Sequence, residues 1–186
     1  MSARAAATAE TRERLLAAAW RHFATRPYED VRLREIAADA AVSAQTLHTA
    51  FGSKDQLFIA AFLWWGQQEM ASRNAAPVGE VRAAIGVLFD RYEAHGPPIL
   101  RMLSQEERFP AIRQMTDAGR AYHREWVGRT FEPLLQHLRA GARERRLTAI
   151  VIATDLLVWK LLRQDMRLAR GEAERIVFEM VEPPAR

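Results

Sequence analysis

The chain has 186 residues, 49 % of them hydrophobic, which is ample for a packed core in one or two domains and excludes a disordered tail. Cysteine is absent, so a disulfide framework, a thiolate metal site and a cysteine nucleophile are excluded, and a reducing cytoplasm is the expected setting. The net charge of +4 permits a nucleic-acid partner without demonstrating one; residues 1–54 hold eight Arg or Lys against six acids, too even a balance to locate such a partner.

The alanine-rich start carries Arg4, Glu10, Arg12, Glu13 and Arg14 and no apolar signal core, and the longest apolar run, 57–65, falls far short of the roughly 18 residues of a membrane span. No membrane association is expected. Helical periodicity covers 11–24, 33–39, 43–50, 54–73, 78–95, 98–107, 111–140 with a kink at Pro133, 148–170 and 172–182, and no alternating strand pattern of useful length occurs. The expected fold is all-α with about nine helices: an N-terminal three-helix helix-turn-helix domain over 1–54 and a C-terminal helical ligand-binding and dimerisation domain over 55–186.

Residues 33–57, LREIAADAAVSAQTLHTAFGSKDQL, carry the most information. Ile36 and Ala37 follow Leu33 by one turn, so a short helix buries one stripe and ends near Ala40. Ser43 starts a second helix as its N-cap, and Leu47 and Phe51 face inward. Ala44, Gln45, Thr46, His48 and Thr49 are left for the side that reaches base edges in a major groove, with Ser43 at its start. Ser53 to Gln56 then spell a capping box: the Ser53 hydroxyl bonds the N3 amide and Gln56 reaches back to the Ser53 amide. Lys54 in the first turn of that helix opposes the macrodipole at a cost of roughly 0.3–1 kcal/mol, which a DNA phosphate resting on the helix start would offset.

Here the sequence resembles the TetR family of transcriptional regulators. The likeness begins with RERLLAAAWRHF from Arg12 to Phe23, passes through Tyr28 and REIAADA, and runs to Phe51, Ser53, Lys54 and Leu57, covering the first third of the chain. Beyond it, length and helical layout agree, with a looser similarity in ATDLLVWKLLRQDMRLARGEAE. The resemblance implies an all-helical homodimer with an N-terminal DNA-binding domain and a variable C-terminal domain that binds an inducer. Three positions depart from the family pattern. Ala41 stands where the family usually has Gly at the turn, and a positive φ there costs Ala about 1 kcal/mol. His48 and Ala50 stand where members commonly carry Tyr and, two residues later, another aromatic or His, so one phosphate contact is expected to be weaker or lost. Arg32 replaces the usual Thr or Ser N-cap and is read as a replacement phosphate ligand.

Between residues 61 and 131, large aromatic and flexible groups exceed what a minimal core needs. Trp65, Phe89, Met102, Met115, Tyr122 and Trp126 are read as lining a pocket for an apolar or aromatic small molecule, with Gln105 and His123 orienting a polar group of it. Ordinary core packing is the competing reading for each. Residues 149–162, AIVIATDLLVWKLL, are too apolar for one buried stripe. Ala153, Leu157 and Leu161, with Ile176, Val177 and Met180 on the last helix, are expected to form a self-complementary four-helix interface across a two-fold axis. Two recognition helices about 34 Å apart would then read a palindromic operator.

No phosphate-binding glycine loop and no GxSxG occurs, and the histidines at 22, 48, 95, 123 and 137 never fall at metal-ligand spacing. No enzyme, metal or cofactor is expected. The reading is a ligand-responsive, DNA-binding homodimeric regulator, a repressor released from double-stranded operator DNA by a small inducer. The alternative is an all-helical small-molecule-binding protein whose helix-turn-helix is degenerate at Ala41, His48 and Ala50.

Overall fold

The computed structural model describes residues 3–182, and these form helices joined by short turns. In order they are α1 (Ala3–Thr25), a 3-10 turn (Tyr28–Asp30), α2 (Leu33–Asp39), α3 (Ala44–Phe51), α4 (Lys54–Asn74), α5 (Val81–Leu103), α6 (Pro110–Thr130), a 3-10 turn (Glu132–Leu134), α7 (Ala140–Ala153), α8 (Leu156–Lys160) running into a π-turn (Leu161–Asp165), and α9 (Arg170–Val181). The all-α class is as expected.

The chain divides into two compact units. The first holds the described residues up to Gln68 together with Pro98–Thr116; the second holds Glu69–Pro97 and the described residues from Asp117 onward. In the first unit, α1 buries Leu15, Leu16, Ala18, Ala19 and Phe23, α2 buries Ile36 and Ala37, and α3 buries Leu47 and Phe51. These meet Leu57, Phe58 and Ala61 of α4 and, from the second stretch of the unit, Met102, Ala111, Ile112 and Met115. The α5–α6 join is therefore part of the core that carries the helix-turn-helix. In the second unit Trp126, Phe131, Leu135 and Ile150 are at most 1 % exposed and form the centre.

Several helix limits differ from expectation. The first helix starts at Ala3, because its alanines favour helix strongly enough to extend it without a buried stripe. The expected pair 78–95 and 98–107 is one helix, α5, running through Gly96, Pro97 and Pro98. Gly96 is needed there: a Cβ would lie 2.6 Å from the Trp159 ring, which packs flush against the helix. The expected helix 111–140 stops at Thr130, since Pro133 has no N–H to continue it; the chain takes one 3-10 turn and restarts at Ala140. The expected helix 148–170 is broken after Ala153. There the Thr154 hydroxyl donates back to the Ile150 carbonyl at 2.7 Å, and Asp155 caps α8 by accepting from the Leu157 amide at 2.8 Å.

Candidate nucleic-acid interface

The turn between α2 and α3 decides whether α3 is held outward. Ala41 adopts φ +55°. Its amide donates to the Ala38 carbonyl at 3.0 Å and the next amide, Val42, to the Ala37 carbonyl at 2.9 Å. This is the paired closure of a Schellman motif, with an alanine at the left-handed position that glycine normally fills. Side-chain absence is thus not required for the turn; the strain is borne, at about 1 kcal/mol.

From there α3 is built as the sequence predicts. Ser43 caps it, its oxygen accepting from the Thr46 amide at 3.0 Å. Leu47 and Phe51 are buried, while Ala44, Gln45, Thr46, His48 and Thr49 are exposed along with Ser43. The Gln45 amide nitrogen reaches the Thr49 hydroxyl at 3.5 Å, so the two side chains share one exposed side. Arg32 stands at the start of α2 with extended backbone, exposed and making no side-chain cap, so the N-cap bond is given up as expected. Arg12 of α1 is also exposed and lies 4.7 Å from the centroid of the Phe51 ring, a cation beside α3 that sequence reasoning counted only as charge.

The second turn, from α3 into α4, uses Gly52 at φ +73°, where an added Cβ would come within 2.6 Å of the Gln56 carboxamide oxygen. Ser53 Oγ accepts from the Gln56 amide at 3.2 Å, but the Ser53 amide donates to the Phe51 carbonyl at 2.8 Å rather than to the Gln56 side chain. Only half of the expected capping box forms, because the Gly52 turn offers that amide a closer backbone acceptor.

Lys54 follows, and its surroundings revise the expectation that phosphate alone offsets its position. Its Nζ donates to the Glu29 carbonyl at 3.3 Å and lies 4.5 Å from the centroid of the Tyr28 ring. Burial lowers its pKa against the pull of Asp55, Asp30 and Glu29, so three acids and an aromatic face already compensate the cation. Tyr28 is the centre of this cluster. It is buried among Phe23, Phe58 and Phe109, its hydroxyl donates to Asp55, and its amide donates to the Gln105 side chain at 2.8 Å. Burial, with Asp55 beside it, raises the phenol well above its usual value. Arg108 pairs with Glu29 at 2.6 Å and Arg101 donates to the Ala24 carbonyl at the end of α1. Gln105 thus serves the first unit's backbone, a role that spacing could not reveal because the partners are far apart in sequence.

The residues expected to line a ligand pocket are divided between the two units. Trp65, Met102, Gln105 and Met115 lie in the first unit, where Met102 and Met115 fill its core and Trp65 stacks on Trp20 at 4.1 Å. Phe89, Tyr122, His123 and Trp126 lie in the second. There Tyr122, His123 and Trp126 gather around a residue the sequence did not single out, Arg73 of α4, which donates to His123 Nδ1 at 2.7 Å and faces both aromatic rings. A depression of about 750 Å³ on the second unit is lined by Val78, Ala121, Gly128, Leu147 and arginines 124, 129 and 143, none of them an expected ligand residue. Of the expected interface residues, Leu157, Leu161 and Met180 are exposed and Ile176 is half-buried, joined by an exposed Ile152. Ala153 and Val177 are 2 % exposed and turn into the unit's own core, because the break at Thr154 and the phase of α9 rotate them inward. Among the described residues no cluster of His, Asp or Glu is arranged to hold a metal ion, and no helix is long and apolar enough to cross a membrane.

Residues 15–61 match the family model of bacterial regulatory proteins of the tetR family. No curated protein matches the chain. Among solved structures, a tetR-family transcriptional regulator from Streptomyces coelicolor is 19 % identical with a TM-score of 0.72, over 97 % of this chain and 80 % of that one. A transcriptional regulator from Rhodococcus sp. Rha1 is 18 % identical with a TM-score of 0.69, over 91 % and 93 % of the two chains. A transcriptional regulator from Saccharomonospora viridis, in complex with choline, is 20 % identical with a TM-score of 0.63, over 94 % and 97 %. At these identities the likeness concerns the fold.

Proposed function

We propose that this chain, a TetR-family transcriptional regulator by its N-terminal segment, works as a repressor that binds a palindromic operator as a homodimer and is released by a small inducer. The observation that carries the reading is α3 itself: a capped helix, anchored by Leu47 and Phe51, that leaves Gln45, Thr46, His48 and Thr49 exposed with Arg12, Arg32 and Lys54 on neighbouring elements. Such a set combines base-reading groups with phosphate-holding cations. The left-handed Ala41 supports it over the degenerate alternative, since the turn that presents α3 is kept despite the missing glycine.

Dimerisation is supported by Ile152, Leu157, Leu161 and Met180, large apolar side chains 44–57 % exposed on the second unit. A cytoplasmic place agrees with this role. For the inducer, the group around Arg73 is the best-supported location. A cation of the kind seen with the Saccharomonospora viridis regulator is disfavoured there, because the Arg73 guanidinium already lies over Tyr122 and Trp126.

Selection of bound sequences from random DNA, followed by mobility shift on the recovered site, tests the reading. A palindromic consensus with half-sites about one helical turn apart is expected. Recovery of no consensus would return the chain to the small-molecule-binding class. Leu157→Glu should dissociate the dimer in sedimentation and abolish operator binding together, as a charge in an apolar interface costs several kcal/mol.

A further inference from the structure

Arg73 differs from most half-buried arginines of its unit, which meet a carboxylate, and from Arg146, which donates to the Val181 carbonyl. Arg91 meets Glu69, Arg163 meets Glu93 at 2.6 Å and Arg170 meets Asp90 at 2.7 Å. Arg73 meets no carboxylate among the described residues. Glu69, one turn earlier on α4, is taken by Arg91 and by His95 at 3.1 Å. The Asp155 carboxylate is turned to the start of α8.

What Arg73 has instead is neutral. One terminal nitrogen donates to His123 Nδ1 at 2.7 Å, and the guanidinium lies 4.7 Å from the centroid of the Trp126 ring and 5.3 Å from that of Tyr122. The Thr154 hydroxyl gives its proton to the Ile150 carbonyl, which leaves its oxygen to accept from His123 Nε2–H at 3.2 Å. That bond fixes the tautomer, so His123 is an acceptor toward Arg73 and carries no charge. The remaining donor on the inner edge, Arg73 Nε–H, is buried and has no partner at all. A planar fork of this kind is suited to carboxylate and phosphate oxygens, and here one prong is taken by an uncharged ring while its neighbour is empty. A buried orphan donor on a cation that has aromatic faces but no counter-charge is a costly state that a bound anion relieves.

We infer that Arg73 is the anion-binding group of a small-molecule site in the second unit, taking a carboxylate or other oxyanion carried on an aromatic or aliphatic body, with Tyr122 and Trp126 flanking the charged head. The ligand's oxygen accepts from Nε–H, completing the fork that His123 half fills. The inference deepens the inducer reading and rests on it only for the effect on DNA; binding itself is independent.

The test uses the full-length, ¹⁵N-labelled protein without DNA, titrated with sodium benzoate, sodium octanoate and potassium phosphate, with benzylamine hydrochloride and sodium chloride at matched ionic strength as controls. The Arg73 Nε–H resonance is assigned by its absence in Arg73→Lys, and the Trp126 indole N–H by its absence in Trp126→Phe. At least one of the three anions should move both resonances saturably while the controls do not. Arg73→Lys should bind that anion roughly tenfold more weakly, since a point charge replaces the fork, and Arg73→Gln should lose the Trp126 shift. Where Arg73→Gln fails to fold, the wild-type titration and Arg73→Lys decide. No saturable shift with any of the three anions, an equal response to benzylamine, or unchanged binding by Arg73→Gln overturns the site. An anion that binds at Arg73 and leaves operator affinity unchanged refutes the inducer reading and keeps the site; absence of anion binding in a protein that still binds operator refutes the site alone.

Discussion

The two units differ in how completely they pair their half-buried cations, and the difference lies in Arg73. In the first unit the chain closes off its own half-buried positive groups: Arg26 meets Glu35 at 2.6 Å, Arg101 donates to the Ala24 carbonyl, and Lys54 rests on Tyr28 with Glu29, Asp30 and Asp55 nearby. In the second unit Arg73 is sealed against aromatic rings and a neutral histidine, with one donor left over. The contrast follows from how each unit would meet its partner. A surface that receives a polyanion from solvent leaves its reading groups in water, which satisfies them until the partner arrives, so nothing unpaired needs to be buried. A donor buried away from water has no such reserve, and one poised for a ligand is left unsatisfied without it.

The largest effect expected comes from breaking the closed side. Tyr28→Ala removes a buried ring from Phe23, Phe58 and Phe109 and takes away the partners of both Asp55 and Lys54. It should cost about 3–5 kcal/mol in urea denaturation, against about 1–3 kcal/mol for Tyr28→Phe, which removes only the hydroxyl. A loss under about 1 kcal/mol for Tyr28→Ala would show that the cluster does not hold the unit together.

The next effect sharpens the other side. Burial, and then Arg73, hold the His123 pKa down to about 3. In the unfolded chain the imidazole titrates near 6.5, so below that pH the unfolded state takes up a proton that the folded state refuses. The stability His123 permits is complete above about 6.5 and is lost as pH falls toward 3, at about 1.4 kcal/mol per pH unit. Near pH 4.5 the loss amounts to about 2–3 kcal/mol. His123→Gln offers an oxygen to Arg73 and an N–H to Thr154 without titrating, so its stability curve should be flatter than the wild type's by that slope between pH 4.5 and 6.5. Parallel curves would mean that His123 is protonated in the fold and that Arg73 lacks even its neutral acceptor.

Whether the exposed side reads bases as well as phosphates is decided by two substitutions. Gln45→Ala should relax sequence preference at one or two base pairs, worth about 1–3 kcal/mol of discrimination, because a long amide can pair bidentately with adenine. Lys54→Ala should weaken binding to all sequences and flatten the slope of log K against log salt by about one unit. An unchanged slope would mean that Lys54 belongs to the Tyr28 cluster alone.

Helix α3 was legible because its determinants are local: a cap at Ser43, anchors four residues apart at Leu47 and Phe51, and polar residues between them. The limits of α2, α3 and α4 follow from such signals to within a residue. What was not legible depends on distant partners. Gln105 looked like a ligand-orienting group, yet its carboxamide serves the Tyr28 amide 77 positions away. The Gly96-Pro97-Pro98 cluster looked like a break, yet packing of Trp159 against Gly96 goes with a continuous helix. Arg73 carries no local signal, since only the fold brings Tyr122, His123 and Trp126 to it.

The smallest effect tests whether the first unit, so complete in its pairing, carries an unfavourable feature of another kind. Ala41 and Gly52 both hold positive φ, at +55° and +73°, on either side of α3. Gly52 pairs its positive φ with ψ −60°, a conformation that glycine alone takes readily, while the contact a Cβ would make is with the flexible end of Gln56. Ala41 is exposed, so its cost is conformational. Ala41→Gly should stabilise the protein by up to about 1 kcal/mol; the relief of backbone strain in the fold is partly offset by the greater freedom glycine gives the unfolded chain. Because both turn amides keep their bonds to Ala37 and Ala38, α3 should stay where it is and base preference should not change. A gain in thermal midpoint with unchanged sequence preference is the expected pair of results. A changed preference would show that the strained turn sets the angle at which α3 enters the groove, and that this unit too holds an unfavourable conformation for the sake of its partner.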